Sequence, residues 1–155
     1  LVHRLHADRS ELQPLAERLA RAKRRFNVLA FDLAGHGASK LPEKTKPPGV
    51  ERMREDVKAA IAEVDRATKG KTSSIVLVGS SLGATLVSQV AFDEPQVSAL
   101  ALISPGAAIG GLDVYAPYAE VRNLPTFLAG AESGPVTRDP LDALAKMAQA
   151  ATVKR

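Results

Sequence analysis

The stretch from Ser73 to Phe92, SSIVLVGSSLGATLVSQVAF, constrains this chain more than any other. Ile75–Val78 reads as a buried strand, Gly79-Ser80-Ser81-Leu82-Gly83 as a sharp turn, and the remainder as a helix of small and apolar residues. A G-x-S-x-G pattern set between a strand and a helix is a nucleophile elbow. Each letter has a steric reason. The central residue, Ser81, has to take a strained backbone conformation for its hydroxyl to project from the top of the sheet. Strand and helix then pass so closely that side chains two positions before and after it would collide, so glycines stand at 79 and 83. The helix behind Ser81 points free N–H groups and its positive dipole end towards any oxyanion formed there. With glycine usage of about 7%, the bare pattern arises by chance in roughly one chain of this size in twenty. The flanking strand and helix give it its weight.

Around that unit, strands and helices alternate. Leu1–His3 reads as the end of a buried strand. A helix is predicted from Glu11 to Lys23, capped by Asp8 or Ser10, with Pro14 in its first turn and Leu12, Leu15 and Leu19 on one face. Asn27–Leu33 is a continuous apolar run of the kind expected for a parallel strand covered on both faces. The glycine-punctuated Asp32–Ser39 and a polar, proline-containing loop to Gly49 follow it. Val50, Met53, Val57, Ile61 and Val64 keep a helical period, which predicts a helix over Val50–Lys69 closed by Gly70. Beyond the elbow come a strand at Val97–Ile103, a glycine-rich segment to Asp113 and a short irregular or helical stretch at Tyr115–Val121. Then follow a strand at Pro125–Gly130 and a helix over Leu141–Ala150, with Asp139 as cap and Pro140 in its first turn. Thr152–Arg155 reads as the start of another strand. The alternation predicts an α/β fold, a doubly wound, mostly parallel sheet with helices on both faces. It is expected to be a single domain spanning 1–155 with no cap domain.

Composition excludes several functions. The net charge of +4 comes from scattered basic residues, with Lys23-Arg24-Arg25 as the tight cluster at a predicted helix end. Only 4% of residues are aromatic and none is tryptophan, so no stacking ladder is available for nucleic acid. No apolar run is long enough to span a membrane. The chain has no cysteine, hence no disulfide, thiolate nucleophile or cysteine metal site. Neither G-x-G-x-x-G nor a P-loop lysine is present, which argues against nucleotide binding. No basic-then-apolar leader opens the sequence, so a cytoplasmic location is expected. Both ends read as cut. The opening Leu1-Val2-His3 enters as if mid-strand, and exposed sheet edges of that kind predict homo-oligomers.

Strand–GSSLG–helix, preceded by FDLAGHGAS and before that by LVHRLHADRS, resembles the α/β-hydrolase fold family along essentially the whole chain. Within that family the chain is most similar to small lidless bacterial hydrolases of the esterase or dienelactone-hydrolase-like kind. The resemblance implies a serine hydrolase of small carboxylic esters or thioesters, needing no cofactor and no metal. Ser81 would attack the carbonyl, a histidine would take its proton, and a carboxylate would orient the histidine. The oxyanion hole would be formed by the backbone N–H of Leu82 and one near Leu5, in the loop after the first strand.

The chain departs from the family in three places. His3 is followed by Arg4 where the family has glycine, a change expected to hold that loop away from the oxyanion. The acid position in Gly130-Ala131-Glu132-Ser133 is Ser133, which leaves Glu132, one residue earlier, or Asp113 after the preceding strand. No histidine follows Ser81: the three are His3, His6 and His36, and each reads as a structural loop residue. Two functions follow as expectations. One is a hydrolase whose catalytic histidine lies beyond Arg155; the other is an inactive pseudo-hydrolase used as a binding or interaction module.

Overall fold

The computed structural model describes residues 1–23, 26–42, 46–109, 112–130, 135–149 and 151–154. Its helices are α1 (Gln13–Ala20), α2 (Val50–Ala67), α3 (Leu82–Asp93), α4 (Tyr115–Glu120) and α5 (Pro135–Met147). Its strands are β1 (Ile75–Ser80), β2 (Val97–Ile103), β3 (Ala108–Ile109), β4 (Leu112–Asp113), β5 (Thr126–Ala129) and β6 (Ala151–Lys154). Strands β1, β2, β5 and β6 lie side by side in that order, every pair parallel. Strands β3 and β4 form a separate antiparallel pair inside the glycine-rich segment, for which the sequence analysis predicts no strand.

The elbow helix is the centre of the packing. Leu82, Ala84, Leu86, Val87 and Val90 of α3 are all almost wholly buried, as expected for a helix apolar on every side. It lies on β1 and β2, with α2 and α4 against its flanks and α5 against β5. Met53, Val57 and Ile61, the predicted face of α2, are buried in the same core. Residues 77, 79, 100, 102, 126 and 128 point to α3's side of the sheet, and Leu77, Leu100, Leu102 and Leu128 are buried there. The other side is more open: Val76 is 45% exposed and Phe127 41%.

Several boundaries differ from the sequence reading. Leu1–His3 makes one parallel bridge, Val2 to Gly79; Val2 N–H donates to Val78 O (2.8 Å) and Ser80 N–H to Val2 O (3.0 Å). Asn27–Leu33 forms no strand ladder, although its apolar run predicted one. An apolar run reports burial; a strand also needs a partner along its length, and here the Leu1 amino group reaches Leu29 O alone (2.7 Å). The predicted Glu11–Lys23 helix begins as a tight turn over Arg9–Leu12, with Asp8 Oδ1 accepting Ser10 N–H, and continues as the eight-residue α1. Helix α5 starts at Pro135 and carries Pro140 inside it, because either proline satisfies the first-turn preference and the earlier one prevails. Gly70 closes α2 as expected, with φ of +68° and its N–H bonded to Asp65 O (2.9 Å).

Candidate active site

Ser81 stands between β1 and α3 at φ 51°, ψ −111°, a left-handed position that costs an L-residue about 1–3 kcal/mol and persists only where the surroundings enforce it. They do so from three sides. Ser81 N–H donates to Ile103 O at the end of β2 (2.9 Å), and Ser81 O accepts the Ala84 N–H (2.9 Å). A Cβ on Gly79 would lie 2.2 Å from Gly83 O, so strand and helix touch backbone to backbone. A Cβ on Gly83 would lie 2.3 Å from Val2 O and 2.8 Å from His3 O, so the loop after the first strand rests directly on the elbow. Arg4 therefore does not hold that loop away. Its side chain turns outward, and the backbone approach is made by the carbonyls of Val2 and His3.

Among the described residues, Ser81 Oγ has no hydrogen-bond partner, and neither the Leu82 nor the Leu5 N–H has an acceptor. Leu82 opens α3, where helical N–H groups have no partner within the helix. Leu5 N–H shares a peptide plane with Arg4 O, and that oxygen is pinned by His3 Nδ1–H (2.7 Å) and Ala7 N–H (3.3 Å). His3 itself is fully buried. Its Nε2 accepts Leu33 N–H (3.0 Å), which fixes the ring proton on Nδ1. His36 donates from Nδ1 to Ala34 O (3.0 Å) and lies beside His3, ring centres 5.2 Å apart. His6 is exposed, at φ 59°. All three histidines thus behave as loop residues, and none is bonded to Ser81.

The acid candidates separate. Asp113 is exposed, and its two oxygens accept Tyr115 N–H and Ala116 N–H (3.0 Å each), opening α4. Burial raises the Tyr115 phenol, and the charges of Asp113 and Asp139 raise it further. Glu132 and Ser133 lie outside the described residues. No group of three or more metal-ligating side chains occurs among the described residues.

Sequence reasoning missed three carboxylates that brace the loops after the first strand and after Asn27–Leu33. Glu11, read only as a helix start, accepts Arg4 N–H on Oε2 (2.9 Å) and the Ser80 hydroxyl on Oε1 (3.0 Å). Asp32 accepts Arg9 N–H (2.7 Å) and Ala38 N–H (2.8 Å) and pairs with the Arg9 guanidinium (3.3 Å). Burial pushes the Asp32 carboxyl up, but those two N–H groups and Arg9 outweigh it and hold it below the usual carboxylate range. Asp56 completes the clamp on this loop by accepting Ala34 N–H (2.7 Å). The stability Asp32 supplies is therefore present above its unfolded pKa, about 3.9, and is lost as pH falls through the lower folded value. Asp32→Asn is expected to lose about 2 kcal/mol at neutral pH, since one amide oxygen cannot replace a charged acceptor of two N–H groups. Urea unfolding checks this, and the gap to wild type should narrow progressively as pH falls below about 3.9.

Two open clefts, about 440 Å³ beside Lys40, Lys46 and Arg52 and about 500 Å³ between Asn27–Leu29 and α2, do not include Ser81. The candidate site is the elbow itself.

This fold and serine turn define a class, and comparison with known proteins gives the same one. Residues 1–147 match the family model described as serine aminopeptidase, S33. The chain belongs to that family of α/β hydrolases. No match emerges among curated proteins. Among solved structures it is similar to the monoacylglycerol lipase of Paleococcus ferrophilus (TM-score 0.74, 19% identity, 98% of this chain and 80% of that one). A lipase-esterase related protein from Clostridium acetobutylicum gives TM-score 0.73 at 19% identity, covering 99% of this chain and 82% of that one. A thioesterase domain from the curacin biosynthetic pathway gives TM-score 0.73 at 14% identity, covering 99% and 82%. No described helix is long and apolar enough to cross a membrane.

Proposed function

We propose that the chain carries a serine hydrolase site for carboxylic esters or thioesters, with Ser81 as nucleophile. The observation behind this is the elbow, where, among the described residues, a left-handed serine with an unengaged hydroxyl is followed by Leu82 with an unengaged N–H; the N–H of Leu5, also unengaged, is proposed as the second donor. Ser81 Oγ attacks the acyl carbon and gives its proton to a base, and the carbonyl oxygen gathers negative charge between the two N–H groups. Collapse of the tetrahedral intermediate expels the alkoxide or thiolate, and water releases the acid from the acyl-enzyme. The lipase, the lipase-esterase related protein and the thioesterase domain among the structural relatives support the same substrate class.

The proposed base is a histidine oriented by Asp113 or Glu132; both ring nitrogens of His3 are already engaged, and Asp113 already serves two α4 N–H groups. The acyl-transfer rate is expected to rise with pH as the base loses its own proton. Assays with p-nitrophenyl acetate and an acetyl thioester are expected to show slow turnover that Ser81→Ala abolishes. Turnover that persists in the variant removes Ser81 from the chemistry.

The engagement of His3 favours a second reading, in which the elbow survives as a binding site for acyl groups or carboxylates. It predicts no turnover in either protein, and equal acetate binding to wild type and Ser81→Ala in an NMR titration. The half-exposed Val76 and Phe127 and the outer strand β6 support self-association. Light scattering is expected to give a dimer or larger, and a monomer contradicts this.

A further inference from the structure

Two backbone N–H groups and one serine have to hold a fixed spacing for the proposed chemistry, yet they come from separate segments. Leu5 sits in the loop after the first strand, whereas Ser81 and Leu82 sit at the β1–α3 turn. One side chain joins the residues immediately before Leu5 and Ser81. Glu11 Oε2 accepts the N–H of Arg4 (2.9 Å), and Glu11 Oε1 accepts the hydroxyl of Ser80 (3.0 Å). The Arg4 side chain returns to the same carboxylate, with Nε 3.3 Å from Oε1. Arg4 is thereby held on both sides of its Cα, its N–H by Glu11 and its carbonyl, which shares a peptide plane with the Leu5 N–H, by His3 Nδ1–H. The Glu11 side chain is 22% exposed; its bond to the Ser80 hydroxyl is partly buried, and its bond to Arg4 N–H is at the surface.

We infer that Glu11 is a positioning residue that fixes the Leu5 N–H relative to Ser81, an inference that rests on Ser81 being the nucleophile. Glu11 touches neither Ser81 Oγ nor Leu5 N–H, so it acts through Arg4 and Ser80. It also accommodates the arginine at position 4, taking up that residue's N–H and its guanidinium together. A rigid first shell supported by a second layer of hydrogen bonds is what a preorganised oxyanion site requires.

The test compares wild type, Glu11→Gln, Glu11→Ala and Ser80→Ala by two readouts. The first is residue-level amide exchange by NMR. The Arg4 amide should exchange about tenfold faster or more in Glu11→Ala, as expected for losing a hydrogen bond to a charged acceptor, while the Leu86 and Leu100 amides keep their protection. Glu11→Gln, which still offers an oxygen to Arg4 and an amide to Ser80, should stay within about threefold of wild type. The second is the rate of fluorophosphonate labelling at Ser81. It should fall about tenfold or more in Glu11→Ala, less in Ser80→Ala, and under about threefold in Glu11→Gln. Unchanged Arg4 exchange in Glu11→Ala overturns the tether. Loss of the tether with unchanged labelling overturns its catalytic role. Absence of labelling in wild type removes the nucleophile reading, and with it that role, while the exchange data still decide whether the tether exists.

Discussion

Gly79→Ala is expected to destabilise the protein by about 3 kcal/mol or more, at the upper end of what overpacking costs. The added methyl would lie 2.2 Å from Gly83 O, 2.3 Å from Gly83 C and 2.5 Å from Ala84 N. All three are backbone atoms of the first turn of α3, so no side chain can swing aside to make room. Relief would require the helix to move off β1, which opens the contacts of Leu82, Leu86 and Val90, the most buried part of the core. For a chain of this size the loss corresponds to a fall in melting temperature of roughly 6–12 °C, or failure to fold at all. Gly49→Ala is the control, because a Cβ there meets nothing within 4 Å. At a helix N-cap, where glycine is preferred to alanine, it should cost about 0.5–1 kcal/mol, well short of the Gly79 effect. A melting curve for Gly79→Ala within about 2 °C of wild type would mean that strand and helix are not in contact.

The second large effect is at Ser81, where stability and chemistry should move in opposite directions. A serine at φ 51°, ψ −111° stores strain that glycine would not. Ser81→Gly is therefore expected to raise stability by about 1 kcal/mol, a gain of roughly 2–4 °C, while removing covalent reactivity altogether. Ser81→Ala keeps the strain and removes the hydroxyl, so it should lose reactivity with little change in melting temperature. A stabilising loss of function is the signature of strain kept for a purpose. If Ser81→Gly melts below wild type, the left-handed geometry is not strained, and the elbow loses its physical basis.

These two effects follow from the part of the molecule that was most legible in the sequence. The spacing of Gly79 and Gly83 about Ser81 is imposed by backbone contact, and a steric demand of that kind leaves few residue choices. Helix α2 was legible for a related reason, since Met53, Val57 and Ile61 bury one face at helical spacing. Where the outcome depended on a distant partner, the letters said less. The apolar run at 27–33 predicted a covered strand, but Asn27 is exposed, Val28–Phe31 are half-buried, and no ladder forms along it. Two prolines, Pro135 and Pro140, were equally good helix starts by local chemistry. Arg4 looked disruptive beside a glycine-requiring loop, yet the close approach to Gly83 is made by Val2 O and His3 O, and the arginine side chain turns away.

The supporting carboxylates of the site were illegible for the same reason. Glu11 and Ser80 are 69 residues apart, and nothing in the spacing of either points to the other. Asp113 was singled out as an acid from its place after a strand, whereas its two oxygens bond the first N–H groups of α4. The histidines were read as structural, and the bonds of His3 and His36 to neighbouring backbone are of that kind.

The central claim is that Ser81 is presented as a nucleophile, and the most direct measurement is intact mass after incubation with a fluorophosphonate. The account predicts a single adduct on folded wild-type protein, faster at pH 9 than at pH 7 because the base that takes the Ser81 proton has to be free of its own, and none on Ser81→Ala. A folded wild-type protein that stays unmodified at both pH values, or an adduct that survives in Ser81→Ala, would contradict it.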